Sequence, residues 1–230
     1  MKTLLIGEKY RDKLGNSLFE YDFTPIWLPE NPNLDSRLSS HIDLSVFKYD
    51  KTLVLARYLN TNNLVNYLTN EGYLINFSSE EQGKRYPKDV NLCAAVIGNT
   101  LLHNTKYTDP EILALGLSHI DIKQGYARCT SLIIDNHSLI TADHGISDAA
   151  KRNSIDVLLI SDEGISLDGF DRGFIGGASF KAEDTIYFTG DINKHINGKE
   201  ICEFILKHGF NFCSLTNKPL FDIGGAIYLE

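Results

Sequence analysis

The 230-residue sequence predicts an α/β chain made of about five copies of one strand-turn-strand-helix unit, closed with pseudo-fivefold symmetry around a small-molecule pocket. Three observations carry this. Segments 41–55, 91–103, 129–141 and 176–188 each read as two apolar strands around a short polar turn. Aligned on their apolar pattern, Asp43, Asn91, Cys129 and Gly176 share one position, and Leu53, Leu101, Leu139 and Ile186 follow ten residues later in every case. The starts, continued to Gly224, are spaced 48, 38, 47 and 48 residues apart, too regular for unrelated hairpins.

Each element has a local cause. Gly98-Asn99 and Asp135-Asn136-His137 are polar turns between apolar runs and set hairpin register. Thr108-Asp109-Pro110-Glu111 starts a helix, with a capping side chain ahead of proline and an acid in the first turn. Residues 148–152 are helical in character, and the run from Ile155 to Ile160 reads as a buried strand. Residues 199–208 place Ile201, Phe204 and Ile205 on one helical face, Gly209 caps that helix, and Phe210-Asn211-Phe212 begins a further strand. The unit is therefore ββαβ. The fifth is half present at the C-terminus, and the N-terminal strands near residues 3–6 and 23–28 are expected to complete it, giving one domain over 1–230. An edge left unpaired there would invite a second copy and a homo-oligomer.

Composition narrows the function classes. A formal charge of −8 and scattered basic residues argue against a nucleic-acid partner. No run of about 18 apolar residues occurs, and no signal-peptide core follows Met1, so no membrane partner and an intracellular, cytoplasmic location are expected. The four cysteines form no CxxC pair and the histidines lack ligand spacing, so neither metal nor cofactor is expected. Cys93, Cys202 and Cys213 lie in apolar runs and read as small buried hydrophobes. Asp143 and Asp191, ahead of helical segments, read as caps. Residues 173–179 carry no nucleotide-loop motif.

The aligned unit starts are unusually polar. If they face the axis, a thiol, an imidazole and carboxylates converge there: His41 and Asp43, Asn91, Arg128 with Cys129, Gly176-Gly177, and Asp222 ahead of Gly224-Gly225. Such a set suits covalent chemistry, with a Cys nucleophile, a His proton carrier and carboxylates holding a cationic substrate. Glycines allow close approach to the backbone. The candidate catalytic residues are Cys129, His41 and Asp43; the candidate substrate contacts are Asn91, Arg128, Asp171, Gly176, Gly177, Asp222 and Gly224.

His41-Ile42-Asp43 followed by Phe47, the Gly-Gly strand starts and the fivefold ββαβ unit resemble the guanidine-modifying superfamily, which includes arginine deiminase, agmatine deiminase and the dimethylarginine hydrolases. The resemblance implies the pentein fold, a pseudo-fivefold α/β propeller, and a small cationic guanidino or amidino ligand. It gives His41 the general acid/base role and Asp43 that of a substrate-binding carboxylate. The family's nucleophilic cysteine follows the glycine run of the final unit, whereas here Gly224-Gly225 leads into Ala226-Ile227-Tyr228-Leu229-Glu230. The acid that usually precedes the glycine pair is replaced by Ile175. Cys129 is then the candidate nucleophile, contributed by a different unit. The same architecture also resembles a ribosome-binding initiation factor that does no chemistry, so two readings stand: a Cys-dependent hydrolase of amidines, or a catalytically silent binding module.

Overall fold

The computed structural model describes residues 2–230. In chain order its elements are β1 (Lys2–Gly7), α1 (Arg11–Glu20), β2 (Phe23–Leu28), β3 (Val46–Tyr49), β4 (Thr52–Leu55), α2 (Asn62–Asn70) and β5 (Leu74–Phe77). There follow β6 (Ala95–Ile97), β7 (Thr100–His103), α3 (Pro110–Leu113), β8 (Ser118–Asp121), α4 (Ala127–Thr130), β9 (Ser131–Asp135), β10 (Ser138–Thr141), α5 (His144–Arg152) and β11 (Asp156–Leu159). The chain ends with β12 (Ser179–Ala182), β13 (Thr185–Phe188), α6 (Gly198–Lys207), β14 (Asn211–Ser214) and β15 (Ile227–Leu229).

These strands form five three-stranded sheets of one design: β3-β4-β5, β6-β7-β8, β9-β10-β11, β12-β13-β14 and β15-β1-β2. In each, the middle strand pairs antiparallel with one neighbour and parallel with the other. A helix spans each parallel connection, as a crossover of that kind requires. In the fifth sheet the two ends of the chain meet, Thr3 opposite Leu229 and Leu5 opposite Ile227.

Turn chemistry repeats as well. Asp50, Gly98 and Glu183 take positive φ in three of the hairpin turns, the backbone form that matches strand twist. Each of the five helices α1, α2, α3, α5 and α6 is followed within three residues by a left-handed residue, in turn Asp22, Gly72, Gly116, Ser154 and Gly209. A left-handed residue at that position ends a helix and turns the chain toward the next strand. Asp109 caps α3 by accepting from the Glu111 amide, Asp143 caps α5 by accepting from Ile146 N, and Asp191 caps the turn after β13.

The middle strands are apolar because both of their faces are buried. On β4, Leu53 and Leu55 join one hydrophobic cluster with Leu5 and Leu28, while Val54 joins another with Leu101 and Ile112. Leu101 and Leu102 of β7 divide likewise, as do Leu139 and Ile140 of β10. Ile186 and Tyr187 of β13, and Leu4 and Leu5 of β1, complete the series. Five clusters thus link each sheet to the next, and the one joining Leu4 and Phe23 to Phe180 links the fourth sheet to the sheet shared by both termini.

Two expectations need correction. The run from Ile155 to Ile160 yields β11, an outer strand whose residues are exposed or half-buried, because it lies at a sheet edge beside β10 alone. The aligned unit starts are not strand residues: Asp43, Asn91, Cys129, Gly176 and Gly224 all sit in turns two to four residues ahead of β3, β6, β9, β12 and β15.

Double-sided burial sets an expected mutational pattern. Leu53→Ala, Leu101→Ala and Leu139→Ala should each cost about 2–5 kcal/mol in urea unfolding, because each opens a cavity between two sheets. Leu74→Ala, at a residue 68% exposed, should stay within about 0.5 kcal/mol. Equal costs for the two classes would contradict this packing.

Candidate functional site

The five turns ahead of the first strands are stitched together by backbone hydrogen bonds. Arg128 N donates to Cys93 O (3.0 Å), Gly177 N to Cys129 O (3.0 Å), Gly225 N to Gly177 O (2.9 Å) and Asp43 N to Gly224 O (3.2 Å). The remaining junction, between the first and second turns, is bridged by a side chain: Gln82 Nε2 donates to Leu44 O and to Asn91 Oδ1, the latter at 3.0 Å. Asn91 in turn donates to Asp109 Oδ2 and Ser78 Oγ, each at 3.0 Å. Asn91 is therefore placed in a buried polar brace that holds the turns, not against a cavity, and its amide has no free donor to offer a ligand.

The glycines are required by close packing. A Cβ at Gly177 would lie 1.9 Å from Asp222 Oδ1, and one at Gly176 would lie 2.3 Å from Arg128 O. Gly224 takes φ +70°, and its Cα approaches the His41 backbone so closely that a Cβ would lie 2.4 Å from His41 Cα. These residues shape the site by letting Asp222 and His41 come to the centre.

Two cavities border the turns. The smaller, about 160 Å³, is lined on its polar side by His41, Cys129, Asp222 and Arg172, the last paired with Asp162, and walled by Tyr126, Phe170 and Phe174. The larger, about 660 Å³, is bordered by Asp43, Arg128 and Gly224, with Lys48, Lys181 and Glu230 further out. Arg128 and Cys129 thus border different cavities although they are neighbours in the helical turn α4. Asp171 is exposed and borders neither cavity, while the residues on either side of it, Phe170 and Arg172, line the smaller one. Sequence position alone cannot tell which of three adjacent loop residues turns inward.

The electrostatics of the centre are those of buried acids with little compensation. Asp222 accepts from Phe174 N (2.8 Å) and Gly224 N (2.9 Å) and lies 3.8 Å from His41 Nδ1. Burial nevertheless raises its pKa, the opposing pull of His41 and the two amides being smaller. Burial lowers the pKa of His41, which favours the neutral imidazole, and its Nε2 has no hydrogen-bond partner among the described residues. Neither carboxylate oxygen of Asp43 makes a well-formed hydrogen bond to the described residues; burial first, then the charge of Asp222, pushes its pKa up to about 7 against weaker opposing contributions from the Cys129 thiol, Arg128 and the Leu44 amide. Cys129 is 3% exposed, and burial, with the adjacent Cys93 and the two carboxylates, raises its thiol well above the usual range.

The structure thus brings together His41, Asp43, Arg128, Cys129, Gly176, Gly177, Asp222 and Gly224, and leaves Asn91 and Asp171 outside. It adds residues the sequence did not single out. Tyr126, Phe170 and Phe174 wall the pocket, and Cys93 places its Sγ 3.4 Å from that of Cys129. Cys93 is buried as expected, but it is the partner of Cys129 rather than a filler. Both sulfurs sit two residues ahead of a first strand, β6 or β9. That equivalence is masked in the sequence because β10 starts seven residues after β9 and β7 only five after β6, with a bulge at Ser138/Leu139. An alignment with a constant ten-residue offset to the second strand therefore matched Cys129 with Asn91.

Comparison with known proteins places the chain. It belongs to a family of unknown function (DUF6873), whose profile matches residues 5–227. No curated protein matches it in sequence. Among solved structures it is similar to DDAH from Pseudomonas aeruginosa, in a cysteine-to-serine variant complexed with citrulline, with a TM-score of 0.59 and 10% identity over 99% of this chain and 98% of that one. It is also similar to the C. jejuni agmatine deiminase, with a TM-score of 0.54 and 10% identity over 94% and 87% of the two chains. The inosamine-phosphate amidinotransferase of Streptomyces griseus matches with a TM-score of 0.53 and 11% identity over 97% and 80%. The fold is the pentein fold of the guanidine-modifying enzymes.

The raised pKa of Asp43 has a signed consequence for stability. The folded protein holds the Asp43 proton to about pH 7, whereas the unfolded chain releases it near 3.8, so its contribution is full below pH 3.8 and is lost as pH rises toward 7. Asp43→Asn removes that loss. Its unfolding free energy relative to the parent should rise between pH 4 and pH 8, by an amount on the order of a few kcal/mol. Parallel pH profiles in chemical denaturation would show that Asp43 is not held protonated.

Proposed function

We propose that this member of the DUF6873 family binds a small guanidinium or amidinium compound in the pocket shared by His41, Cys129 and Asp222, and hydrolyses it through a covalent adduct on Cys129. The observation that carries the reading is the composition of that pocket. A thiol, a neutral imidazole and a carboxylate border a space of about 160 Å³, with the unpartnered carboxylate of Asp43 behind the thiol. That volume suits a planar amidino group, and aromatic walls suit its faces. The structural neighbours include a DDAH variant complexed with citrulline and a dimethylarginine dimethylaminohydrolase variant as its adduct with S-methyl-L-thiocitrulline, which supports a ligand of this shape. A net charge of −8 favours a cation.

The chemistry follows from what a cation does in this setting. At rest burial raises the pKa of both acids and of the thiol, which disfavours the thiolate. A bound amidinium lowers the pKa of every acid around it, so the ligand itself arms Cys129. The Cys129 proton passes to His41, and Sγ attacks the amidino carbon. The C–N bond breaks, and His41 returns the proton to the departing amine. Water, deprotonated by His41, then attacks the same carbon. The C–S bond breaks and Sγ recovers the proton, so that one water is consumed and one amine released per turnover. Asp222 and Asp43 hold the charge of the substrate.

A second reading is a binding module without turnover. It is favoured by the closed position of Cys129 and by the raised pKa of its thiol.

Peptide mass spectrometry after brief exposure to 2-chloroacetamidine separates the two, with iodoacetamide as the uncharged control. Hydrolase chemistry predicts amidine labelling of Cys129 at least about tenfold faster than labelling by iodoacetamide, and its loss in His41→Ala or Asp43→Ala. Equal or absent labelling would favour the binding module. The amidine rate should also climb as pH rises through about 7, where Asp43 gives up its proton, and this dependence should flatten in Asp43→Asn.

A further inference from the structure

We propose that Asp43, Cys93 and Cys129 form a binding site for a thiophilic divalent metal ion, with Zn2+ the best-matched occupant. Their ligating atoms, one carboxylate oxygen and two sulfurs, lie within 4.8 Å of one another, and all three residues are buried. The two sulfurs are 3.4 Å apart. Two thiolates bound to one tetrahedral zinc at about 2.3 Å each are separated by roughly 3.7 Å, so an adjustment of a few tenths of an ångström seats the ion.

The second observation is the state of Asp43. It is 4% exposed, and neither oxygen has a hydrogen-bond partner, although buried polar atoms are ordinarily satisfied. Its hydrogen-bonded neighbour Asp222 shows that the surrounding backbone has amides to give. Asp43 has only the Leu44 amide and the Cys129 thiol close by, neither in hydrogen-bond geometry, and lies beside two sulfurs. A metal ion supplies what the carboxylate lacks.

Ligand chemistry selects the class of ion. Two sulfurs and one carboxylate disfavour Mg2+ and Ca2+, which take oxygen ligands, and favour zinc or its cobalt surrogate. Binding balances as one metal ion taken up and the ligand protons released: the two thiols become thiolates and the Asp43 carboxyl becomes carboxylate, with no change of oxidation state. Three protein ligands leave a fourth tetrahedral position, the pattern of an open zinc site. An ion held there engages Cys129 Sγ and removes it from nucleophilic use, so the metal and an alkylating amidine compete for one sulfur. The ligands are separated by 50 and 36 residues, which is why no spacing motif in the sequence announces them.

The test uses the full chain under a non-thiol reductant, with Co2+ and Zn2+ as the probes. One equivalent of Co2+ should produce the near-ultraviolet thiolate-to-cobalt charge-transfer band, which one equivalent of Zn2+ abolishes. Cys93→Ser and Asp43→Asn should each weaken zinc binding by at least about tenfold. Their folding is checked independently by circular dichroism, and the two variants guard against failure of either one. Absence of the cobalt band, or zinc affinity unchanged in both variants, overturns the proposal. Because these readouts involve no substrate, they stand or fall separately from the hydrolase reading.

Discussion

The structure depends on one packing constraint: every middle strand is buried on both faces. A residue on β4 or β13 faces one neighbouring sheet, and the next residue along faces the other. No unit of three short strands and a helix can bury both faces by itself, so each is stable only between two others. The same constraint accounts for the joining of the chain ends. The strand β15 carries only three residues and would leave two open faces and an unpaired edge without β1.

Packing the sheets side by side has a consequence at their inner ends, where five turns approach one another. There the backbones bond across the junctions, with Gln82 and Asn91 bridging the one junction that no backbone pair spans. Glycine at 176, 177 and 224 permits this approach, and it places Asp222 and His41 where both are almost fully buried. The chemistry of the site follows from that crowding. Desolvation outweighs the attraction of nearby opposite charge at both Asp222 and Asp43 and raises their pKa values, and it lowers that of the imidazole. Either proposed occupant, an organic amidinium or a metal ion, would supply the compensation that burial removes.

This arrangement also explains why Arg128 does not activate Cys129. The two residues are adjacent in the short helical turn α4, yet Arg128 borders the large cavity and Cys129 the small one. What surrounds the thiol instead is Cys93 and two carboxylates, each of which raises its pKa. Proximity in the chain and proximity of charge are separate matters here, and the second is decided by where the turn points each side chain.

The sequence by itself determined the repeating unit. Leu53, Leu101, Leu139 and Ile186 all occupy the second position of a middle strand, and the helix and hairpin signals at Gly98, Asp109 and Gly209 fall where the structure uses them. Such features are local, set by periodicity of burial and by turn and cap chemistry within a few residues. The sequence also picked out His41, Asp43, Cys129 and Asp222 as residues of one centre, because equivalent positions of a repeat around an axis must converge. Only the tertiary structure decided the rest. It paired Cys93 with Cys129 across a hairpin whose length obscured their equivalence, set Asn91 to bracing rather than binding, turned Asp171 outward, and left Asp43 without a partner. These outcomes depend on the direction of individual side chains in the turns and on burial contributed by distant units. No local pattern in a sequence encodes either quantity.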